Sequence, residues 1–210
     1  MKRIQPIVEG HGDVKAVPIL LRRLRNEAQA FDVEINEPIR RKYSELITHT
    51  GIQKAVELAL LQPDCTAILL IFDCEDFCPK DFAPKLLSWA KAAARSKPCE
   101  VVLAYREYET WFLAAIESLR GKYGIPLDAT PLDNPESRRD AKGALEEYMA
   151  RGSSYDETVD QPRFSAAFDM GLAYRRSRSF RKLVKAFGIF ISAGDGQISV
   201  WPPAQWTQDA

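Results

Sequence analysis

Apolar residues in the first half of the chain form two kinds of run, which alternate along the sequence. Three short runs are mainly apolar and predict strands, at residues 4–8, 66–72 and 101–105. Three longer stretches have helical spacing and predict helices, at residues 14–24, 52–60 and 82–94. Residues 34–40 alternate between apolar and polar side chains and predict one further strand. Strands that alternate with helices in this way favour a parallel α/β sheet.

The second half of the chain has a different pattern. From Trp111 to about Phe187 the apolar spacing is helical, and a loop rich in Pro, Asp and Asn after Gly124 interrupts it. We therefore predict an α/β domain at residues 1–110, with a parallel sheet flanked by helices. An α-helical extension with a C-terminal tail is predicted at residues 111–210.

Prolines affect the predicted limits of two elements. Pro18 falls early in the first helix and lacks an amide hydrogen, so we expect it to restrict where that helix begins. Near the end of the chain, Trp201 is followed by two prolines. This segment predicts a strand or an ordered tail.

Composition and charge exclude several classes of protein. The chain has 210 residues, of which 46% are apolar and 28% charged, close to the average for a globular protein with a substantial core. Acidic and basic residues balance at 29 each, so any contact with nucleic acid must be local. No stretch approaches the roughly 18 apolar residues of a membrane span, and the first residues lack a signal-peptide core. We expect a cytoplasmic protein with no membrane contact, whose four cysteines are reduced and buried.

Acidic side chains follow three of the predicted strands. They are Glu9 after the first strand, Asp73, Glu75 and Asp76 after the third, and Glu107 and Glu109 after the fourth. Ligands of open parallel sheets collect at the carboxyl ends of the strands, and clustered carboxylates suit Mg²⁺ or Mn²⁺. The alternative is that these acids only cap the amino termini of helices.

Basic side chains cluster in two places. Arg40, Arg41 and Lys42 follow the second strand, and a run that includes Arg178 lies between residues 171 and 187. A polyanionic substrate would need such groups, although a charged face is more often only solvated. His11 lies in a glycine turn, where it would donate to a phosphate or cap a helix. The turn lacks the third glycine of a dinucleotide fingerprint, and the chain has no P-loop motif.

The order of these motifs resembles the Toprim fold of topoisomerases, primases and overcoming-lysogenization-defect nucleases. A glutamate–glycine turn follows strand 1, and an acidic pair resembling D-x-D follows strand 3. Five segments also resemble a bacterial Toprim-like family of unassigned function: VEGHG (8–12), EYETWFLA (107–114), DAKG (140–143), DQP (160–162) and SRSF (177–180).

The resemblance implies Mg²⁺-dependent cleavage of phosphodiester bonds by a nuclease-like protein, in phage defence or DNA processing. Glu9 matches the general acid/base of Toprim enzymes, and Asp73 and Glu75 match the metal ligands, with Asp76 beside them. Glu75 is a departure, because the pattern has aspartate there. Four residues would bring positive charge to the nucleic acid: Arg40, Lys42, Lys142 and Arg178.

The same resemblance implies a partner ATPase of the AAA or ABC type. One rival interpretation is therefore a non-catalytic subunit that binds metal or nucleotide weakly and docks that ATPase. A second rival is a receiver-type phosphoacceptor with Asp73 as its target, but no recognisable hydroxyl and lysine follow the later strands.

Overall fold

The computed structural model describes residues 1–74, 76–150, 153–192 and 200–208. Its centre is a five-stranded sheet in which all the pairings are parallel. The strands are β1 (Lys2–Val8), β2 (Val33–Ile35), β3 (Ile39–Arg40), β4 (Ala67–Cys74) and β5 (Cys99–Tyr105). Their order across the sheet is β2-β1-β4-β5, and β3 continues along the same edge of β1 as β2. The predicted α/β fold is confirmed.

Helices flank the sheet on both faces. Those of the first half are α1 (His11–Glu27), α2 (Tyr43–Leu46), α3 (His49–Leu60) and α4 (Pro79–Ala94). Those of the second half are α5 (Thr110–Leu113), α6 (Ala141–Tyr148), α7 (Asp160–Ala167), α8 (Met170–Arg176), α9 (Arg178–Ser192) and α10 (Ala204–Thr207). Among the described residues, no helix has both the length and the apolar character needed to cross a membrane.

Alternate residues of the central strands face different cores. Leu69 and Ile71 of β4 belong to a core shared with α1 and with the helices of the second half. Leu70 and Phe72 of the same strand face a smaller core formed with α3 and α4. Because side chains alternate across a strand, the apolar run that predicted β4 reflects burial on both faces.

Trp111 anchors the second half in the larger core. Its side chain is fully buried, and its indole Nε1 donates to Ser179 Oγ at 2.9 Å. The ring packs against Tyr108 and Phe180, with centroid distances of 4.7 and 5.4 Å. The larger core is therefore continuous across the predicted boundary at residue 110.

Two local predictions that involve proline were wrong. The single strand predicted at residues 34–40 is interrupted between β2 and β3, where Pro38 cannot donate an amide hydrogen to a sheet ladder. Pro18 does not limit the start of α1, since it lies buried well inside a helix that begins at His11. The carbonyl of Val14, which an amide at position 18 would bond, is the group that loses its helical partner.

The tail and the cysteines also bear on the predictions. Within the described residues after 199, the regular element is the short helix α10 rather than a strand, and Trp206 of that helix is buried. All four cysteines are free, as predicted. The prediction that all four are buried was wrong for Cys78, which is exposed at the residue before α4 begins.

Candidate active site

A pocket of about 510 Å³ lies at the carboxyl ends of β1 and β4. After β1 the chain places β2 and β3 on one side of this strand, and it later places β4 on the other side. The strand order therefore reverses at β1. Open α/β sheets bind their ligands at such a point. We call this cavity the acidic pocket, because its lining includes the side chains of Glu9, Asp13, Asp73, Asp76 and Glu157. Three basic residues also line it, namely Arg40, Lys42 and Lys142.

Asp13 fixes the turn that leads from β1 into α1. Its Oδ2 accepts from the amide of Gly10 at 2.9 Å, and its Oδ1 accepts from Gln161 Nε2 at 3.0 Å. Burial raises the pKa of this carboxyl, and the charge of Glu157 adds to the effect against two opposing hydrogen bonds. Asp13 therefore caps the helix and also joins the first half of the chain to α7.

Asp73 lies at the end of β4 and faces the same cavity. Its Oδ1 accepts from the backbone amide of Tyr108 at 2.9 Å. Burial raises the pKa of Asp73 well above its usual value, and the nearby charges of Asp13 and Glu109 raise it further. Lys142 acts in the opposite direction. Asp73 and Glu109 therefore share the positive charge of Lys142.

Glu109 is the most deeply buried of these acids. It is 0% exposed, and its Oε1 accepts from the hydroxyl of Tyr155 at 2.8 Å. In the described part of the chain, Oε2 has no hydrogen-bond partner. Burial raises the pKa of Glu109 to about 7, although Lys142 and the Tyr155 hydrogen bond lower it. This carboxyl group can therefore hold or release a proton near neutral pH.

Lys142 is the cation that faces the buried acids. Its Nζ donates to Glu157 Oε2 at 3.1 Å, and its backbone amide donates to Glu107 Oε2 at 2.8 Å. Burial alone would lower the pKa of Lys142, but Glu109, Glu157 and Asp73 together raise it above its ordinary value. The side chain stays protonated, so it compensates charge within the fold as well as offering charge to a ligand.

The structure brings most of the predicted site residues together. Seven of them line the acidic pocket, namely Glu9, His11, Arg40, Lys42, Asp73, Asp76 and Lys142. Glu107 and Glu109 act from behind it, through the amide of Lys142 and through Tyr155. Arg178 is elsewhere, in a second cavity beside β5. Glu75 lies outside the described residues.

The carboxylates suit a hard divalent cation in chemistry but form only part of a site. Their oxygens are the ligands that Mg²⁺ and Mn²⁺ prefer, and a cation among them would relieve the repulsion that raises the pKa of Asp73. Among the residues that the structure describes, however, no three acidic, histidine or cysteine side chains are grouped to hold a metal. Metal binding stays a prediction.

A family model matches the chain from residue 8 to residue 187. The chain belongs to the DUF4276 family, a domain of unknown function. No curated protein and no solved structure matches it. The DUF4276 match spans both halves of the chain, and all the residues of the acidic pocket fall within it.

Sequence reasoning missed four residues of this DUF4276 site: Asp13, Tyr155, Glu157 and Gln161. Asp13 follows a glycine turn, where an acid three residues after the N-cap is an ordinary helix signal. Glu157 and Gln161 reach the pocket, and Tyr155 reaches Glu109 behind it, from a segment more than 140 residues later in the chain. One local signal was Gly12, because a Cβ there would collide with Gln161 Oε1 and with the carbonyl of Glu157. Glycine at this position lets α1 and the later segment approach closely.

Proposed function

We propose that this DUF4276 chain is a Toprim-like protein that cleaves phosphodiester bonds with Mg²⁺ or Mn²⁺, in phage defence or DNA processing. The observation that carries the proposal is the composition of the acidic pocket. Carboxylates at the carboxyl ends of β1 and β4 meet basic side chains from β3, α6 and the segment after β3, at the point where the strand order reverses. Carboxylates alone would repel a phosphate, but carboxylates with a cation and a basic rim would hold one.

Each side chain has a proposed role. Asp73 and Asp76 would hold the divalent ion, which would neutralise the charge of a scissile phosphate. Glu9 would exchange a proton with the attacking or leaving oxygen, as the resemblance to Toprim enzymes implies. Arg40, Lys42 and Lys142 would contact the phosphates of the nucleic acid and fix its position.

Glu109 and Tyr155 support these roles from behind the pocket. The hydroxyl of Tyr155 holds one oxygen of Glu109, and burial raises the pKa of this acid to about 7. When Glu109 is neutral, the positive charge of Lys142 compensates only the acids that line the cavity. The pair would therefore set how much negative charge the pocket carries before a cation binds.

The rival proposal is a non-catalytic subunit that docks a partner ATPase of the AAA or ABC type. One observation favours it: the described residues do not assemble three metal ligands. In that case the pocket would bind a metal ion or a nucleotide weakly and would not hydrolyse phosphodiester bonds.

The variant Asp73→Asn separates the two proposals. An amide oxygen can still accept from the Tyr108 amide, so the fold should persist while one anionic ligand is lost. Wild-type protein should nick plasmid DNA or cut single-stranded RNA in MgCl₂ or MnCl₂, and Asp73→Asn should reduce cleavage at least a hundredfold. The exposed residue Asp128 provides the matched control, since Asp128→Asn should cut at the wild-type rate.

Cleavage by wild type and Asp73→Asn at equal rates would contradict the proposed site. Thermal melting with MnCl₂ gives a second readout. If MnCl₂ stabilises wild type but not Asp73→Asn, and wild type cleaves neither DNA nor RNA, the result would favour the non-catalytic subunit.

A further inference from the structure

A second cavity, of about 520 Å³, runs along the outer edge of β5. It lies between α4 on one side and the first turn of α9 on the other. We call it the edge groove and define it by Lys80, Pro84, Leu87, Val101, Leu103 and Arg178. Its wall and floor are apolar, and its mouth carries the charged side chains. The acidic pocket shares none of these residues.

Backbone groups of β5 point into the edge groove. The amide of Ile68 donates to the carbonyl of Pro98, and the amide of Arg106 donates to the carbonyl of Cys74. The backbone amide and carbonyl of one residue point to the same edge of a strand, and those of the next residue point to the opposite edge. The backbone groups of the even-numbered residues of β5 therefore point toward β4. The amide and carbonyl groups of Val101 and Leu103 therefore point away from the sheet, toward the groove.

These outward groups are buried and unpaired. Val101 is 1% exposed and Leu103 is 3% exposed, and no group in the described part of the chain bonds to their outward amides and carbonyls. Nearly all buried backbone groups in folded proteins have a partner, because an unpaired one costs free energy comparable to a lost hydrogen bond. The floor of the groove therefore presents donors and acceptors that a ligand would satisfy.

The charge at the mouth of the groove is positive. Lys80 and Arg178 are exposed and have no ion-pair partner among the described residues. Lys182 is already paired with Glu100, at 2.6 Å. The acid of the lining, Glu136, already holds two donors on one oxygen, since its Oε1 accepts from Ser177 Oγ at 2.8 Å and from the Ser179 amide at 3.1 Å.

We propose that the edge groove binds an extended, acidic peptide segment of a partner protein as an additional strand beside β5. An extended backbone repeats its donor and acceptor every two residues, about 6.6 Å apart, which is the spacing of the outward groups of Val101 and Leu103. Apolar side chains of the segment would pack on Pro84 and Leu87, and acidic ones would face Lys80 and Arg178. The proposal is independent of any activity at the acidic pocket.

A fluorescent hexapeptide of alternating Glu and Val tests the proposal by fluorescence polarisation. The same peptide with every backbone amide N-methylated keeps every side chain but cannot donate a backbone hydrogen bond from either edge of the strand. We expect saturable binding of the first peptide and at least tenfold weaker binding of the second. The double variant Lys80→Glu/Arg178→Glu should weaken binding by at least tenfold, whereas Arg22→Glu, on an exposed site of α1, should leave it unchanged.

Ala83→Trp supplies a second variant, since a large ring on α4 would fill the groove without removing a charge. It should abolish peptide binding. Equal binding of the two peptides, or no saturable binding by wild type, would overturn the proposal. Sedimentation gives a further check: wild-type dimers that Ala83→Trp converts to monomers would make the occupant a second copy of this chain instead.

Discussion

The acidic pocket and the edge groove have nearly the same volume, about 510 and 520 Å³, and opposite chemistry. The pocket lies at the carboxyl ends of the central strands, where loops and helix starts deliver charged side chains. The groove lies beside the last strand, where the sheet presents its own backbone and the apolar side of α4. Position on the sheet, rather than size, therefore sets what each cavity can bind.

The two cavities also differ in how their polar groups are satisfied. In the acidic pocket the second half of the chain supplies the compensating groups, among them Lys142, Tyr155 and Gln161. In the edge groove the outward groups of Val101 and Leu103 find no such partner in the described residues. The pocket thus has part of its charge compensated before any ligand arrives, although the acids still raise the pKa of Asp73, whereas the groove lacks the other half of its hydrogen bonds.

Trp111 offers the strongest way to break this comparison, because it lies between the two cavities. Its ring packs on Tyr108, whose amide holds Asp73, and its indole donates to Ser179 beside Arg178. Trp111→Ala should lower the free energy of unfolding by about 3 to 5 kcal/mol, as for other fully buried large side chains. Urea unfolding followed by circular dichroism measures it.

The partly buried Trp89 on α4 is the matched control. Trp89→Ala should cost less than half as much, because the ring already contacts solvent. A loss below about 1 kcal/mol for Trp111→Ala would mean that the two cavities do not depend on one core.

The pH dependence of stability sharpens the comparison on the side of the acidic pocket. Glu109 has a pKa of about 7 in the folded protein, above its ordinary value of 4.5, so the folded state binds more protons between these two pH values. Stability is therefore highest near the lower value and falls as the pH rises toward 7, by roughly 3 kcal/mol from this group. Asp73 and Asp13 act in the same direction.

Glu109→Gln should flatten that fall, since a glutamine can accept from Tyr155 without a charge. Urea titrations at pH 4.5 to 8 measure the free energy of unfolding of both proteins. Profiles of equal slope would show that Glu109 does not titrate in this range.

Thiol chemistry tests the side of the edge groove, with the smallest expected effect on stability. Cys78 is exposed and lines the groove, whereas burial raises the pKa of the Cys74 thiol to about 11 and that of Cys99 to about 12. Iodoacetamide should therefore modify Cys78 first in the native protein. Cys78→Ser should remove the fast reaction and change the free energy of unfolding by less than about 0.5 kcal/mol.

Cys65→Ser provides the comparison, because Cys65 is buried and the fast reaction should survive its removal. The acidic hexapeptide should slow modification of Cys78 in wild type. Fast modification of two thiols, measured by intact mass, would contradict the burial of the others.

The fold was largely predictable because its strongest signals are local. The run at residues 66–72 is apolar on both faces, which only a central strand or a buried helix explains, and it became β4. The interruption between β2 and β3 was visible as Pro38 but was outweighed by the alternation around it. The burial of Pro18 inside α1 shows that tertiary packing can override the preference of one residue.

The site was predictable where its residues follow strands or, as for Lys142, where a segment resembles the Toprim-like family. Glu9, Asp73 and Asp76 share a pocket because parallel strands end at the same edge of the sheet. Tyr155 and Glu157 come from a segment between helices that looks ordinary in sequence, and Gln161 was singled out only as part of the DQP segment, without a role. The separation of Arg178 from the pocket could not be foreseen either, because spacing along a helix does not say which cavity that helix faces.

Gly12 has a consequence for the order in which the protein matures. The close approach that it allows joins a residue made early in synthesis to Glu157 and Gln161, which are made about 150 residues later. A ribosome therefore releases Glu9, Asp73 and Asp76 well before Lys142, whose charge lowers the pKa of Asp73. Until that late segment arrives, the nascent sheet carries Arg40 and Lys42 beside these acids but lacks Lys142, so the acidic pocket is completed only when the second half of the chain folds onto the first.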